Sequence, residues 1–263
     1  MDLQLDGRTA FVSGSTGGIG WAVASALAAE GVHVTLNGRS PDRVEAAVAR
    51  LRAERPGVPV AGIAADFSDA AQVAALIERL GEVDVLVANV GLFGLAPFAT
   101  IDDAEWQRYF EVNVMSGVRL SRALLPGMLE RGWGRVVFVG SESGVSVPAD
   151  MVHYGVTKAA TIALANGLAK TTRGTAVTVN TVLGGPTWSD GVEATVTEIA
   201  EAQGVPVAAV RDAVIGQNST TLLERFLQPT EIASLVAYLA SPVASATNGA
   251  ALRADGGVLT TTL

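Results

Sequence analysis

Tyr154 and Lys158 stand four residues apart in HYGVTKAA, in a chain that has three tyrosines and two lysines against sixteen arginines. On a helix that spacing projects both side chains from one face. A phenol is a poor acid–base group near neutrality, because its ordinary pKa is about 10, and a cation alongside is expected to favour the phenolate. The pair suits a reaction in which a proton moves to or from an oxygen. Hydride transfer to a carbonyl is one. It needs an electrophile held beside the hydride donor, a proton for the developing alkoxide, and no stray nucleophile. Ser141 ends the apolar run GRVVFVGS at 134–141, a position from which a hydroxyl polarises the same carbonyl. Asn113, in FEVNVMSG, falls in an expected long helix where asparagine is intrinsically unfavourable. A backbone distortion or a buried polar task is expected there. Taken singly, each residue has a plain alternative: a half-buried aromatic, a surface charge, a helix cap and a satisfied core amide.

Far upstream, SGSTGGIG at 13–20 supplies a place for a nucleotide. Gly14, Gly18 and Gly20 follow an expected strand and open an expected helix, so helix amides can face a pyrophosphate. The spacing GxxxGxG is looser than the usual dinucleotide fingerprint and unlike the lysine-bearing loop of ATPases. At the end of the second strand the chain reads LNGRS. A carboxylate there would accept bonds from the adenosine ribose and repel a 2′-phosphate; Arg39, helped by Ser40, would instead grip that phosphate. NADP(H) is therefore the expected cofactor, with NAD(H) possible. The alternative is a solvated arginine capping the turn. His33 is expected to be a strand or edge residue without a catalytic part.

The elements that must position these groups alternate. Strands are expected at about 9–13, in VHVTLNG, in VPVAGIAAD, in VDVLVANVG, at 134–141, in AVTVNTVLGG and in GAALRADGG, with helices between them. One helical stretch covers roughly 102–130, broken near Pro126, and another, bearing Tyr154 and Lys158, covers about 151–172. Short apolar strands separated by helices indicate an α/β fold with a parallel sheet covered on both faces. At 263 residues one core suffices, so 1–263 is read as a single domain. The segment at about 186–228 breaks the rhythm and reads as a lid over a cleft, the alternative being a helical hairpin on the surface.

Composition excludes several function classes. The chain has no cysteine, hence no disulfide, thiolate catalysis or Cys-based metal site. Two separated histidines give no metal cluster. A net charge of −8 and the lack of a basic stripe argue against nucleic acid. No apolar window has membrane-spanning length, and the opening MDLQLDGRTAFVSG shows no export pattern, so a cytoplasmic protein is expected.

The whole chain resembles the short-chain dehydrogenase/reductase family, on SGSTGGIG at 13–20, AD at 65–66, ANVG at 88–91, Asn113, Ser141, YGVTK at 154–158 and NGAALRADGG at 248–257. It is most similar to the branch of 3-oxoacyl-acyl-carrier-protein reductases. The resemblance implies a Rossmann-type doubly wound sheet of seven parallel strands and a homotetramer formed through the two long helices. Ser13, Thr16 and Ile19 would line the glycine turn. Asp66 and Phe67 would meet the adenine, and Asn89 and Gly91 would support the central cofactor wall. Asn113, Ser141, Tyr154 and Lys158 look like the family's catalytic tetrad. Lys158 would also bind the nicotinamide ribose, and Asn113 would hold a water in a relay to Lys158. Three departures stand out. Val90 replaces the usual alanine of NAG. Gly184-Gly185 replaces Pro-Gly, with Thr187 left to contact the carboxamide. Glu142 follows Ser141, where small residues are common.

The expected function is NADPH-dependent reduction of a ketone to a secondary alcohol, reversible, with a small-molecule substrate. Phe93, Glu142, Ser143, His153 and Trp188 form the expected pocket wall. Two alternatives are an NAD-dependent secondary alcohol or polyol dehydrogenase, and a catalytically silent nucleotide sensor. The complete tetrad weighs against the latter.

Overall fold

Strand after strand in this chain is apolar on both sides, and the computed structural model, which describes residues 1–217 and 220–262, buries both sides. The elements run β1 (Thr9–Val12), α1 (Gly18–Ala29), β2 (His33–Gly38), α2 (Pro41–Glu54), β3 (Val60–Ala64), α3 (Ala70–Leu80) and β4 (Val85–Ala88). There follow α4 (Asp103–Phe110), α5 (Ser116–Glu130), β5 (Trp133–Ser141), α6 (Val152–Thr171) and β6 (Ala176–Gly184). The chain finishes with α7 (Asp190–Gln203), α8 (Val207–Gln217), α9 (Pro229–Ala240) and β7 (Ala251–Ala254). The strands form one parallel sheet in the order β3-β2-β1-β4-β5-β6-β7.

The period of two sorts the core into two layers. Val12, Val87, Val137 and Val139 pack with Val23 and Leu27 of α1 and Ile232 and Val236 of α9. Their neighbours Phe11, Leu86, Val136 and Phe138 point the other way, onto Leu120 and Leu124 of α5 and Ala165 of α6. The order reverses between β1 and β4, so their carboxyl ends flank a crevice. In open α/β sheets that is where ligands bind. At the opposite edge, Arg135 of β5 is fully buried without a carboxylate. Its guanidinium donates to the carbonyls of Ser241 (3.1 Å), Gly134 (2.9 Å) and Ala176 (2.7 Å), and burial pushes its pKa down to about 10.

The expected break at Pro126 does not occur. Helix α5 runs through it, because Pro126 and Arg122, whose carbonyl loses its partner, both lie on the exposed face. The interruption lies upstream instead, as a π-helical turn at Glu111–Met115 joining α4 to α5. Residues 186–228 leave after β6 and return beside their own start. Leu227 N–H donates to the Pro186 carbonyl (2.8 Å) and Trp188 N–H to the Leu227 carbonyl (2.8 Å). Between these ties α7 and α8 form a hairpin that buries Val196, Ala200 and Val210. Residues 218 and 219 of the expected lid lie outside the described residues. Among the described residues no helix is long and apolar enough to cross a membrane.

Candidate active site

The glycine turn is held by side chains from three strand ends. Gly14 N–H donates to Asn37 Oδ1 (3.0 Å), and Asn37 Nδ2 donates to the Ile63 carbonyl (3.0 Å), bolting the turn to β2 and β3. Ser13 Oγ accepts from the N–H groups of Asn89 (2.9 Å) and Val90 (3.0 Å). Asn89 Nδ2 donates back to the carbonyls of Ser13 and Gly14 (3.0 Å each). Gly20 is obligatory here: a Cβ would sit 2.3 Å from the Gly14 carbonyl oxygen and 2.6 Å from Asn89 Nδ2. Gly14 and Gly18 take φ of +63° and +54°, which glycine adopts without strain. The turn therefore presents the amino end of α1 to the crevice.

An anion already occupies that end. The Asp190 carboxylate, from the first turn of α7, accepts from Gly18 N–H (3.1 Å), and a Cβ on Gly17 would meet it at 2.4 Å. This oxygen stands where a phosphate oxygen would be held by a helix amino terminus. The turn thus fits a pyrophosphate on its own geometry. Beyond it, a cavity of about 560 Å³ is lined by Thr16, Arg39, Ser40, Arg43, Asp66 and Phe67. The Phe67 side chain is buried in the core, so its backbone faces this space. Ser40 also caps α2, accepting from Arg43 N–H (3.4 Å). On the other side of the turn, a second cavity reaches Ile19, Gly91, Phe93, Tyr154 and Lys158.

Three elements gather the chemical groups around Tyr154 and Lys158, which line that second cavity. Strand β5 ends at Ser141, and α6 carries Tyr154 and Lys158 past it. Lys158 Nζ donates to the Val139 carbonyl (2.9 Å) and lies 5.6 Å from the centre of the Tyr154 ring. Burial pushes the ammonium pKa down to about 8, with the Glu142 carboxylate pulling the other way. Burial also raises the Tyr154 phenol above its ordinary value, further raised by Glu142 and only partly offset by the Ser141 hydroxyl. Burial, with the nearby carboxylate acting the same way, thus favours the neutral phenol.

The π turn gives Asn113 its place. Asn113 Oδ1 accepts from Leu92 N–H (2.6 Å), while its Nδ2 donates to the Leu92 carbonyl (3.0 Å) and to Thr157 Oγ1 (2.9 Å). A Cβ on Gly91 would lie 3.5 Å from Asn113 Oδ1 and 3.6 Å from Lys158 Nζ, so both polar ends converge on Gly91. Glu142 is half-buried. Ser141 Oγ donates to its Oε2 (2.6 Å) and Ser143 Oγ to its Oε1 (3.2 Å), and burial raises its pKa.

A family model described as short chain dehydrogenase matches residues 8–200. The chain belongs to the short-chain dehydrogenases. As such it is an oxidoreductase with the family's doubly wound sheet. The oxidoreductase YvrD of Bacillus subtilis is 42% identical to it over 263 residues, covering 98% of this chain and 99% of YvrD. The D-beta-hydroxybutyrate dehydrogenase of Cupriavidus necator is 31% identical, with 97% and 98% covered. Among solved structures, L-sorbose reductase from Gluconobacter frateurii, complexed with NADPH and L-sorbose, superposes with a TM-score of 0.93. It is 32% identical, with 99% of this chain and 100% of that one covered.

The expected pocket wall of this short-chain dehydrogenase comes apart. Phe93 lines the cleft, its ring under Gly191, and Glu142 and Ser143 gather on Ser141. His153 does not join them. It is buried against Tyr109 of α4 (ring centres 4.1 Å apart) and near Trp106 (6.3 Å), and burial lowers its pKa. Trp188 packs edge-on against Phe226 (5.2 Å) and borders a separate cavity with Arg211 and Arg225. Gly185 and Thr187 sit at the base of the α7–α8 hairpin: Thr187 Oγ1 donates to the Gly185 carbonyl (2.8 Å), and a Cβ on Gly185 would strike the Asp255 carbonyl at 2.3 Å. Ser189, Asp190 and Arg43 make cleft wall that the sequence reading passed over. The helix-opening order Ser-Pro-Asp-Arg at 40–43 was the available signal for Arg43. The capping serine before Asp190 was the signal for the other two.

Proposed function

We propose that this short-chain dehydrogenase is an NADPH-dependent carbonyl reductase acting on a small-molecule ketone, reversibly. The observation that carries it is one crevice with two chemically different ends. At one, Arg39 and Arg43 stand beside Thr16 and Ser40, with no carboxylate on the last residue of β2, Gly38. At the other, Ser141, Tyr154 and Lys158 meet at the carboxyl end of β5. The NADPH in the L-sorbose reductase complex supports the same choice of cofactor.

When bound, the cofactor supplies the hydride. The residues of this chain do the rest. The glycine turn and the amino end of α1 would hold the pyrophosphate, Arg39 and Arg43 the 2′-phosphate, and Lys158 the ribose. Ser141 orients and polarises the substrate oxygen. As negative charge grows on that oxygen, Tyr154 gives up its proton to it. A phenol kept protonated by burial is suited to this, since the alkoxide is a far stronger base than a phenolate. The Lys158 ammonium then stabilises the tyrosinate left behind. The tyrosinate recovers its proton from the Lys158 ammonium, which is reprotonated from solvent along the wall that Asn113 fixes through the Leu92 backbone and Thr157.

The cationic form of Lys158 is needed, and with its pKa near 8 it predominates below that pH and is lost above it. For ketone reduction, kcat/KM is expected to fall roughly tenfold per pH unit above about 8. The raised phenol stays protonated over the same range and does not add to the decline. A pH profile from about 6 to 10 at constant ionic strength checks this; a flat profile across that range would remove Lys158 from the mechanism.

A further inference from the structure

A hydroxyl has one proton to give. Ser141 spends it on Glu142, at 2.6 Å and toward a carboxylate, an acceptor stronger than any neutral carbonyl. The carboxylate itself is under-supplied. Its two oxygens offer about four acceptor positions, and each accepts one hydroxyl, Oε2 from Ser141 and Oε1 from Ser143. Among the described residues no cation pairs with it. Lys158 acts on it through space, with its Nζ donating to the Val139 carbonyl and making no ion pair with the carboxylate. A half-buried anion in that condition lowers its free energy by accepting further hydrogen bonds, and a second anion beside it raises it.

From this geometry we infer that Glu142 is a specificity-determining residue: it selects carbonyl substrates bearing a hydroxyl next to the carbonyl, and rejects oxo acids bearing a carboxylate there. The substrate hydroxyl donates to a free acceptor position of Glu142, while the adjacent carbonyl oxygen is thereby set beside Ser141 and Tyr154. With a new donor on Glu142, the Ser141 proton is held less tightly and turns to the substrate oxygen. A plain ketone offers Glu142 nothing, and a carboxylate in the same place faces a like charge across a poorly hydrated gap. The substrate class is thus the hydroxyketones, including ketoses. This assignment rests on the carbonyl-reductase reading of the site.

The test uses three carbonyls of nearly equal size: hydroxymethyl ethyl ketone, diethyl ketone and α-ketobutyrate. Each is followed by NADPH absorbance with the intact protein and with Glu142→Gln. The wild type is expected to favour the hydroxyketone over diethyl ketone by about tenfold or more in kcat/KM, and to use α-ketobutyrate least. In Glu142→Gln the hydroxyketone preference shrinks by a similar factor, mainly through KM, and α-ketobutyrate gains relative to both. Each preference is a ratio within one protein, so a smaller folded fraction of the variant cancels. Equal kcat/KM for the two ketones in the wild type, or an unchanged ratio in Glu142→Gln, overturns the role of Glu142 while leaving the carbonyl-reductase reading intact. Reduction of none of the three with either nicotinamide cofactor overturns that reading, and the assignment to Glu142 with it.

Discussion

Tyr154→Phe is expected to lower kcat for carbonyl reduction by about a thousandfold or more, while NADPH affinity changes by less than about threefold. The substitution removes one oxygen and keeps the ring. The packing of α6 on β5 and the Lys158 bond to the Val139 carbonyl need not shift. What disappears is the acid proposed to protonate the nascent alkoxide. Ser141 cannot replace it, since its proton is held by Glu142 and its own acidity is far lower. Steady-state absorbance gives kcat, and quenching of protein fluorescence gives NADPH binding. A variant that keeps kcat within about tenfold of wild type would mean the proton comes from elsewhere.

The second large effect belongs to the opposite end of the crevice. Arg39→Ala is expected to weaken NADPH binding by about thirtyfold to a hundredfold, with NADH binding changed by less than about threefold. A guanidinium on a phosphate forms charge-assisted, bidentate bonds, and NADH has no 2′-phosphate to lose them. Arg43 lines the same cavity from the first turn of α2 and retains part of the attraction. Removing both arginines is therefore expected to bring the two cofactors close to equal affinity. Parallel titrations with each cofactor decide the point. Equal losses for both cofactors on Arg39→Ala would mean that the arginine shapes the turn and does not read the phosphate.

Much of this was legible in the sequence because it is written locally. A run such as VVFVG needs cover on both faces, and a glycine cluster after such a run has few other uses. Tyr154 and Lys158 share a helical face by their spacing alone. Other features were illegible for physical reasons. His153 precedes Tyr154 directly, yet one residue of helix is about 100° of rotation, and that turns its ring away from the crevice onto Tyr109. Asp190 reaches Gly18 across 172 positions of sequence, a contact made by the fold of the hairpin and not by any motif. Pro126 drew attention as a helix breaker, but an exposed proline leaves its orphaned carbonyl in water. The disruption was instead signalled by Asn113, a residue whose helix propensity is poor and whose side chain is fully employed by Leu92 and Thr157.

The π turn at Glu111–Met115 also has a meaning for how this chain can vary. It amounts to one surplus residue in a rod that would otherwise be continuous from α4 through α5. Upstream of it Tyr109 faces His153; downstream Leu120 and Leu124 face the sheet. The surplus residue sets the angular phase between those two faces. Were the same residues wound as a regular α-helix, the surplus residue would turn one half about 100° against the other. The wide turn thus keeps two helix faces in phase while it aims Asn113 at Leu92 and Thr157. It works as a gear between two packing faces, whereas the loops around it only span distance.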